Sequence, residues 1–439
     1  MHIIEDVFRA LDEWGEHPVF IQWLSHQKPV YTGPEEFRQK IDQTAQIFEK
    51  AGIENNFLVP VFLENSLDFI CCFLGLAKIG AKPIPVKLEY RKIELDEIFK
   101  NSQPQAVIAE ASHLKILEPY LSQRIAIKRE DGNLKLHQKT TGKIKPAEIS
   151  GEIASINYTY RGYGYPIGAM VPHVQYIHGA KVLQAGLQAD PKERMLIVLP
   201  MSHIFTLVGC IFVPLLHGVT SVIANTMHPR KIFEIIRQFD INHITAVPEI
   251  YLLLERFKDT AGKLPSLKVF VSGGSSLSPE DYYRIKEAFS IDLLHGYGLT
   301  EFTPASRNMR GEARAGTVGP LCEGVECRIS SKDKNKAGEI LLKTANMFRG
   351  YYKYPEITQE AFDGDWFKTG DIGKIADGHL IFEYEKKATR KVNGNMVDLK
   401  ELDGIVGLYA EKDRSSLKTT LRNKLASYKL SCISQRMKN

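Results

Sequence analysis

Apolar runs that alternate with helical patterns constrain the fold of this chain more than any other feature. A buried run over Phe57–Leu63 precedes an apolar helical pattern over Leu67–Ile79, which closes at Gly80. The same strand-then-helix unit recurs further along the chain at Leu196–Leu199, Ile244–Val247 and Val269–Val271, and the last of these precedes a predicted helix at Pro279–Phe289. Repeated units of this kind predict an α/β fold with largely parallel sheets, whose ligands bind beyond the carboxyl ends of the strands.

The later part of the chain has a different pattern of apolar and turn residues. From about residue 311 it shows short alternating strands separated by turn residues. We therefore predict a large N-terminal domain of parallel-sheet α/β subdomains, residues 1–384, that ends in a small β subdomain. The charged remainder, 385–439, predicts a small α+β C-terminal domain with a strand at Arg390–Val392 and a helix at Leu417–Ala426.

The charge of the chain is unevenly distributed. The net charge is +5, yet the segment from Lys386 onwards holds thirteen Lys/Arg and five Asp/Glu. This basic segment fits either a polyanionic partner, such as coenzyme A or an acidic carrier protein, or a solvated lysine-rich surface. It lacks interleaved aromatic residues and binding motifs, so we expect no nucleic-acid partner.

No targeting or membrane segment is expected. The N-terminus reads MHIIEDVFRALDEW, without the basic and apolar regions of an export signal. The longest apolar run, Leu196–Ala224, is interrupted by prolines, glycines and histidines, which argues against a membrane span. The six cysteines show no metal-ligand spacing and no disulfide framework. These features favour a cytoplasmic protein, and they leave a homodimer open.

Residues 158–173, YTYRGYGYPIGAMVPH, have the glycine spacing of a phosphate-binding loop. The stretch follows a predicted strand at Ile153–Thr159. Gly162, Gly164 and Gly168 allow the backbone to take positive φ and to approach an anion closely. A glycine-rich connection between two strands has the same pattern, so the loop alone does not decide between the two interpretations.

Further motifs follow this loop in a fixed order. They are LPMSH at 199–203, SGGSSL at 272–277, GYGLTE at 296–301, GEI at 338–340, GYY at 350–352 and WFKTGD at 366–371. In this order they resemble the adenylate-forming superfamily of acyl- and aryl-CoA synthetases, adenylation domains and luciferases. The resemblance implies that ATP activates a small-molecule carboxylic acid as an acyl or aryl adenylate. The acyl group would then pass to the thiol of coenzyme A, or to the phosphopantetheine of an acyl or peptidyl carrier protein.

The resemblance assigns roles to the residues of these motifs. Tyr297, which follows Gly296, would offer an aromatic face to adenine. Thr300 would give a hydroxyl to the α-phosphate, and Glu301 a carboxylate to Mg²⁺, which favours oxygen ligands. Asp371 would accept both ribose hydroxyls of ATP or AMP.

The resemblance also places residues around these groups. His203 would gate or orient the acyl group, although a histidine that packs in the core fits the same pattern. The small or apolar pocket residues favour an uncharged acyl or aryl tail. Gly273, Gly274 and Ser275 would form the wall of the site beside adenine. The substrate pocket would be lined by His203, Val247, Pro248 and Gly296. Lys387 and Lys391 would line the side of the site where the nucleotide binds and the thioester forms.

The loop departs from the family pattern where the triphosphate would bind. Thr159, Gly164, Pro166 and Gly168 match the pattern, whereas its other hydroxyl residues and its lysine are replaced. Arg161 brings a guanidinium, which can bind phosphate in a bidentate manner. We therefore expect Arg161 to take over the task of the missing lysine.

Two further departures lie near the C-terminus. Glu385 stands where the family has a ribose-binding arginine, and Ala388 stands at the family's hinge position. The C-terminal domain is truncated relative to the family, and no residue matches the lysine that bridges carboxylate and α-phosphate. Two alternatives therefore stand beside the ligase: a pseudoenzyme that binds the acyl group and AMP, and an enzyme that uses a pre-formed adenylate for thioester formation only.

Overall fold

The structure is a computed structural model of the chain. It describes residues 2–25, 27–140, 145–331, 333, 336–386, 389–392, 395–408, 421 and 424–436.

The chain alternates strands and helices over most of its length. The strands are β1 Phe20–Gln22, β2 Val30–Thr32, β3 Leu58–Phe62, β4 Lys82–Pro85, β5 Ala106–Glu110, β6 Ile125–Glu130, β7 Asn133–Gln138, β8 Ile153–Thr159, β9 Ile167–Pro172, β10 Arg194–Ile197, β11 Thr220–Ile223, β12 His243–Ala246, β13 Val269–Ser272, β14 Asp292–Tyr297, β15 Ser306–Arg307, β16 Glu326–Ser330, β17 Gly338–Lys343, β18 Phe362–Asp363, β19 Trp366–Ala376, β20 His379–Glu385, β21 Thr389–Val392 and β22 Asn395–Asp398. The helices are α1 Ile3–Asp12, α2 Pro34–Ala51, α3 Leu67–Lys78, α4 Lys92–Ser102, α5 Leu114–Leu121, α6 His173–Leu187, α7 Ile204–Thr206, α8 Val213–His217, α9 Pro229–Gln238, α10 Pro248–Arg256, α11 Pro279–Phe289, α12 Pro355–Glu360, α13 Leu399–Leu408 and α14 Ser427–Arg436, with a π-helix at Leu207–Phe212 and 3₁₀ turns at Ala111–His113 and Lys258–Thr260.

Local sequence signals account for several helix ends. Ser66 caps α3, because its side chain accepts a hydrogen bond from the backbone N–H of Phe69. Ser278 caps α11 in the same way, and Pro279 occupies the first helical position, where its missing N–H costs nothing. Gly52 ends α2 with a φ of 89°.

Two sheets, each with parallel strands at its centre, form the larger part of the molecule. One has eight strands in the order β15-β14-β13-β12-β10-β11-β1-β2, and the other has five in the order β4-β3-β5-β6-β7. The neighbouring pairs from β1 to β14 in the first sheet are parallel, and only its edge strands β2 and β15 are antiparallel. The predicted α/β fold with parallel sheets is confirmed.

The phosphate-loop stretch connects an antiparallel pair, β8 and β9. A five-stranded antiparallel sheet of β16, β17, β18, β19 and β20 follows later in the chain, where short alternating strands were predicted. The domain boundary at 384/385 itself stays a prediction. No described helix has both the length and the hydropathy that a bilayer crossing requires.

The C-terminal part adds the hairpin β21–β22 and the helices α13 and α14. The strand predicted at Arg390–Val392 lies within β21. Most of the helix predicted at Leu417–Ala426 lies outside the described residues. At its described end the prediction is wrong, because Lys424 and Leu425 form a turn and α14 begins only at Ser427. The backbone N–H of Ala426 donates instead to Oε1 of Glu94, across 3.0 Å.

Candidate active site

Two loops at the carboxyl edge of the eight-stranded sheet carry the predicted nucleotide residues. Strand β13 leads into Gly273 and Gly274, and β14 ends at Tyr297 and leads into Thr300 and Glu301. Because β13 and β14 are parallel neighbours, their following loops emerge side by side.

A cavity opens between these loops and the β8–β9 connection. Its walls include many of the residues singled out in the sequence, namely Thr159, Arg161, His203, Gly273, Gly274, Gly296, Tyr297, Thr300, Glu301 and Asp371. We call it the first cavity. Residues up to 212 positions apart in the chain therefore meet in one place, from Thr159 to Asp371.

The predicted adenine platform and the predicted ribose carboxylate contact each other. The hydroxyl of Tyr297 donates a hydrogen bond to Oδ2 of Asp371 across 2.6 Å. Burial, together with the negative charge of Asp371, raises the pKa of Tyr297 well above its usual value. The Tyr297 ring also stacks against Phe382, with the centroids 6.1 Å apart. Both groups are thus held in fixed positions at the cavity wall.

Glu301 is buried and paired. Its Oε1 accepts a hydrogen bond from the hydroxyl of Tyr351 at 2.5 Å and lies 3.7 Å from Nε of Arg161. Burial and the carboxylate of Glu301 raise the pKa of Tyr351, so its hydroxyl stays protonated and donates.

Arg161 is held by the antiparallel sheet. Its terminal nitrogens donate to the backbone oxygens of Thr369 at 2.8 Å and Lys368 at 2.7 Å. Burial disfavours the charge of this guanidinium, but the neighbouring Tyr351 and Glu301 outweigh that effect and raise the pKa of Arg161. Arg161 is therefore a fixed cation at the cavity wall, and its phosphate-binding role stays a prediction.

Mg²⁺ is the metal ion expected at this site. This ion favours open carboxylate oxygens in an octahedral arrangement. The Oε1 atom of Glu301 already accepts from Tyr351 and faces the guanidinium of Arg161. The described residues contain no group of three or more His, Cys, Asp or Glu side chains that could hold a metal ion. At nucleotide sites Mg²⁺ is usually held by one or two carboxylates together with substrate phosphates and water. Glu301 is the residue that would hold it here, and this metal role stays a prediction.

A second cavity adjoins the first at His203, Phe205 and Gly274. Its volume is about 560 Å³. Apolar residues and four charged ones form its other walls: Leu199, Pro200, Met227, Val247, Ile250, Leu252 and Leu253 with Lys87, Glu89, Glu249 and Arg256. His203 stands between the two cavities, where its Nδ1 accepts from the backbone N–H of Phe205 at the start of α7.

Several predicted residues lie beside the first cavity without lining it. Ser275 Oγ is buried, and no described residue hydrogen-bonds to it. A buried hydroxyl without a protein partner, next to the Gly273–Gly274 wall, fits a polar atom of a ligand. Val247 lines the second cavity, and Pro248 is the first residue of α10.

The loop glycines differ in what they do. Gly162 and Gly164 have positive φ, 82° and 92°. Gly168 packs so closely that an added Cβ would lie 2.6 Å from Ile156, so only glycine fits there. Lys387 lies outside the described residues, and of Lys391 only its backbone in β21 is described.

Sequence reasoning missed two residues at this site. Tyr351 pairs with Glu301, and a signal for it existed, because it lies in the GYY motif. Phe205 forms the partition between the cavities, and no motif marked it beyond its position two residues after His203.

This chain is similar in sequence to known enzymes. The sequence profile of the family described as "AMP-binding enzyme" matches residues 8–352. A long-chain-fatty-acid–CoA ligase, FadD13 of Mycobacterium tuberculosis, is 26% identical over 381 residues, which cover 83% of this chain and 75% of that protein. A 4-coumarate–CoA ligase of Arabidopsis thaliana is 24% identical over 437 residues, which cover 91% and 77%.

The fold is also found among solved structures. The amide bond synthetase McbA of Marinactinospora thermotolerans superposes with a TM-score of 0.84 at 17% identity, covering 98% of this chain and 94% of that one. At this identity the likeness concerns the fold alone.

Proposed function

This chain belongs to the family of AMP-binding enzymes, and from that premise we propose that it is an ATP-dependent carboxylic acid–thiol ligase. It joins a carboxylic acid to AMP as an acyl adenylate and passes the acyl group to the thiol of coenzyme A. The two curated relatives described above, both CoA ligases by name, support the thiol acceptor. The observation that carries the proposal is the first cavity, where an aromatic platform, a buried carboxylate and a fixed cation meet.

The nucleotide half of the first cavity is assigned from its chemistry. The Tyr297 ring stacks on adenine. The carboxylate of Asp371 accepts hydrogen bonds from the ribose hydroxyls. Thr300 and Arg161 lie on the same wall, where a hydroxyl and a guanidinium stabilise the charge on the α-phosphate.

In the first step a carboxylate oxygen of the acid attacks the α-phosphorus of ATP. The bond from that phosphorus to the oxygen that bridges the α- and β-phosphates breaks, and pyrophosphate leaves. The fixed guanidinium of Arg161 lowers the barrier because it needs no reorganisation as negative charge develops on the α-phosphate. The product is an acyl adenylate, bound in the first cavity.

In the second step a thiolate attacks the acyl carbon from the side of the second cavity. The carbon–oxygen bond to AMP breaks, and a thioester and AMP leave. The junction at His203, Phe205 and Gly274 supports this route, because a chain that runs through the second cavity reaches the first there.

The acyl half of the first cavity suits a carboxylic acid whose tail is uncharged. Its walls are apolar side chains on α6, on the π-helix region and on the sheet: Leu183, Leu187, Phe205, Val213, Val271 and Leu294. An uncharged aromatic ring or acyl chain therefore suits these walls better than a charged or polar tail.

The test is a two-stage assay with a panel of acids. Acid-dependent exchange of pyrophosphate into ATP reports the first step, and thioester formation with coenzyme A reports the second. We expect both with acids that have an uncharged acyl or aryl tail, such as benzoate, and little with a dicarboxylate. AMP binding without exchange for any acid would contradict the proposal, and exchange without thioester formation would replace coenzyme A by another acceptor.

A further inference from the structure

The loop between β8 and β9 makes an unusual contact with the C-terminal part of the chain. The backbone N–H of Gly164 donates to Oδ2 of Asp398 across 3.0 Å. Asp398 is completely buried. Its other oxygen, Oδ1, accepts from the backbone N–H groups of Lys400 and Glu401 and thereby caps α13. One carboxylate thus joins the loop to the last helices.

A buried ion cluster reinforces this contact. The hydroxyl of Tyr160, in the same loop, donates to Oε1 of Glu401 at 3.0 Å. The ammonium of Lys429 donates to Tyr160 at 2.8 Å and pairs with Glu401 at 2.6 Å and Glu94 at 3.0 Å. The side chain of Lys429 is fully buried, so its charge depends on these partners.

The C-terminal part is also attached to α4. The backbone N–H of Ile93 donates to the oxygen of Lys424, and the N–H of Ala426 donates to Oε1 of Glu94, each at 3.0 Å. We refer to Asp398, Glu401 and Lys429 together as the C-terminal latch.

The latch lies where a triphosphate would meet the loop. Positive-φ glycines present backbone N–H groups to anions, and the N–H of Gly164 is already used by a carboxylate. Gly164 does not line the first cavity, whereas Thr159 and Arg161 in the adjoining part of the chain do. A monophosphate in the first cavity therefore leaves the latch in place, but phosphates that extend towards the loop meet Asp398.

Charge makes this competition stronger. The ammonium of Lys429 already pairs with two carboxylates, Glu94 and Glu401, and Asp398 adds a third negative charge at the loop, so the region opposes further negative charge. A phosphate oxygen can accept a hydrogen bond from the N–H of Gly164 only if the carboxylate of Asp398 no longer accepts it.

We propose that Asp398 is an internal anion that occupies the phosphate loop, and that ATP, but not AMP, must displace the C-terminal latch to bind. The proposal rests on the proposed function, which places the triphosphate at this loop.

The test compares the affinities of the full chain for AMP and for α,β-methylene-ATP by calorimetry. In Asp398→Asn the charge is removed, and in Asp398→Ser the side chain is also too short to bridge, while both residues still cap α13. We expect the affinity for α,β-methylene-ATP to rise about ten-fold in both variants, and that for AMP to change less than two-fold.

Asp403→Asn is the matched control, because Asp403 is an exposed carboxylate on the same helix. It should leave both affinities unchanged. The proposal is overturned if the ratio of the two affinities is the same in wild type and in the Asp398 variants, or if Asp403→Asn changes that ratio equally.

A second measurement keeps the outcome independent of ligase activity. Hydrogen exchange of the Ala426 amide and of α14 should accelerate with α,β-methylene-ATP and not with AMP. If the affinity ratio changes in the Asp398 variants but the protein shows no pyrophosphate exchange, the latch is supported and the proposed function is contradicted. Unchanged hydrogen exchange with the bound ATP analogue would defeat the latch alone.

Discussion

The hydroxyl of Tyr297 donates to Oδ2 of Asp371 across 2.6 Å, and this contact joins two sheets. Tyr297 ends β14 of the eight-stranded sheet, whereas Asp371 lies in β19 of the antiparallel sheet. The proposed nucleotide site is therefore built at a junction, and it depends on how the two sheets pack together.

Asp371→Asn should weaken AMP binding by about ten-fold or more, because hydrogen bonds to a charged acceptor contribute about 1.5–3 kcal/mol. Titration calorimetry with AMP measures the effect. Asp377→Asn is the control, since Asp377 lies in the exposed β19–β20 turn with a φ of 49°, which asparagine tolerates. Equal losses in the two variants would show that Asp371 does not bind the ribose.

Tyr297→Phe and Tyr297→Ala separate the ring from the hydroxyl. If the ring is the adenine platform, the phenylalanine variant should keep AMP affinity within about three-fold. The alanine variant should lose about ten-fold, since stacking on a base contributes about 1–3 kcal/mol. Fluorescence titration with a labelled AMP suits this comparison. A loss in Tyr297→Phe as large as in Tyr297→Ala would assign the role to the hydroxyl instead.

Arg161→Met should lower the affinities for ATP and for AMP together. The guanidinium lies at the wall of the first cavity beside Glu301, and its removal leaves that buried carboxylate without a cation. We also expect the free energy of unfolding to fall by about 3 kcal/mol, as for a broken buried ion pair.

Arg161→Lys provides the control for Arg161→Met. It keeps the charge but cannot bind both backbone oxygens, so nucleotide affinity should recover more than stability does. A loss confined to ATP in Arg161→Met would instead support the sequence-based interpretation, in which Arg161 replaces the missing loop lysine.

Gly209 offers a test of the acyl pocket. It lies in the π-helix, and an added Cβ would meet Thr245, Leu183 and Phe205 at ordinary distances of 3.5–3.8 Å. Gly209→Leu should fill the pocket and reduce kcat/KM for a benzoate-sized acid by about ten-fold or more, with Gly209→Ala intermediate and acetate least affected. Steady-state kinetics with these acids checks the order. AMP affinity should stay constant in both variants, and a parallel loss of AMP binding would point to misfolding of the π-helix.

The buried Glu193 should make folding stability depend on acid pH. Burial opposes its ionisation, but hydrogen bonds from His243 and Lys268 outweigh it and lower the pKa of Glu193 to about 2. Because the pKa is lower in the folded state, this stabilisation is present above the ordinary value of 4.5 and is lost as pH falls towards 2.

Glu193→Gln should reduce the free energy of unfolding by about 2 kcal/mol at pH 7 and flatten its pH dependence between these values. Urea unfolding at several pH values provides the measurement. Glu234→Gln, which alters an exposed pair with Lys231, should leave both quantities unchanged. Identical pH profiles for wild type and Glu193→Gln would refute this assignment.

Much of the secondary structure was predictable from local sequence. The strand Ile153–Thr159 and the helix Pro279–Phe289 have the same bounds in the structure as in the sequence analysis. Both carry local signals, an apolar run for the strand and the Ser278–Pro279 start for the helix. The resemblance also named nine of the residues that line the first cavity, because it compares motifs in their order along the chain, and the phosphate-binding chemistry of a guanidinium added Arg161.

The sequence by itself thus determined the α/β fold, the order of its strand–helix units and the motif residues of the nucleotide site. Only the tertiary structure decided what those residues contact: Arg161 with the oxygens of Lys368 and Thr369, and Gly164 with Asp398. The physical reason is that secondary structure follows from periodicity and caps within a few residues. The partner of a buried charge or an N–H group depends instead on which distant segments pack beside it, here 234 positions away for Gly164.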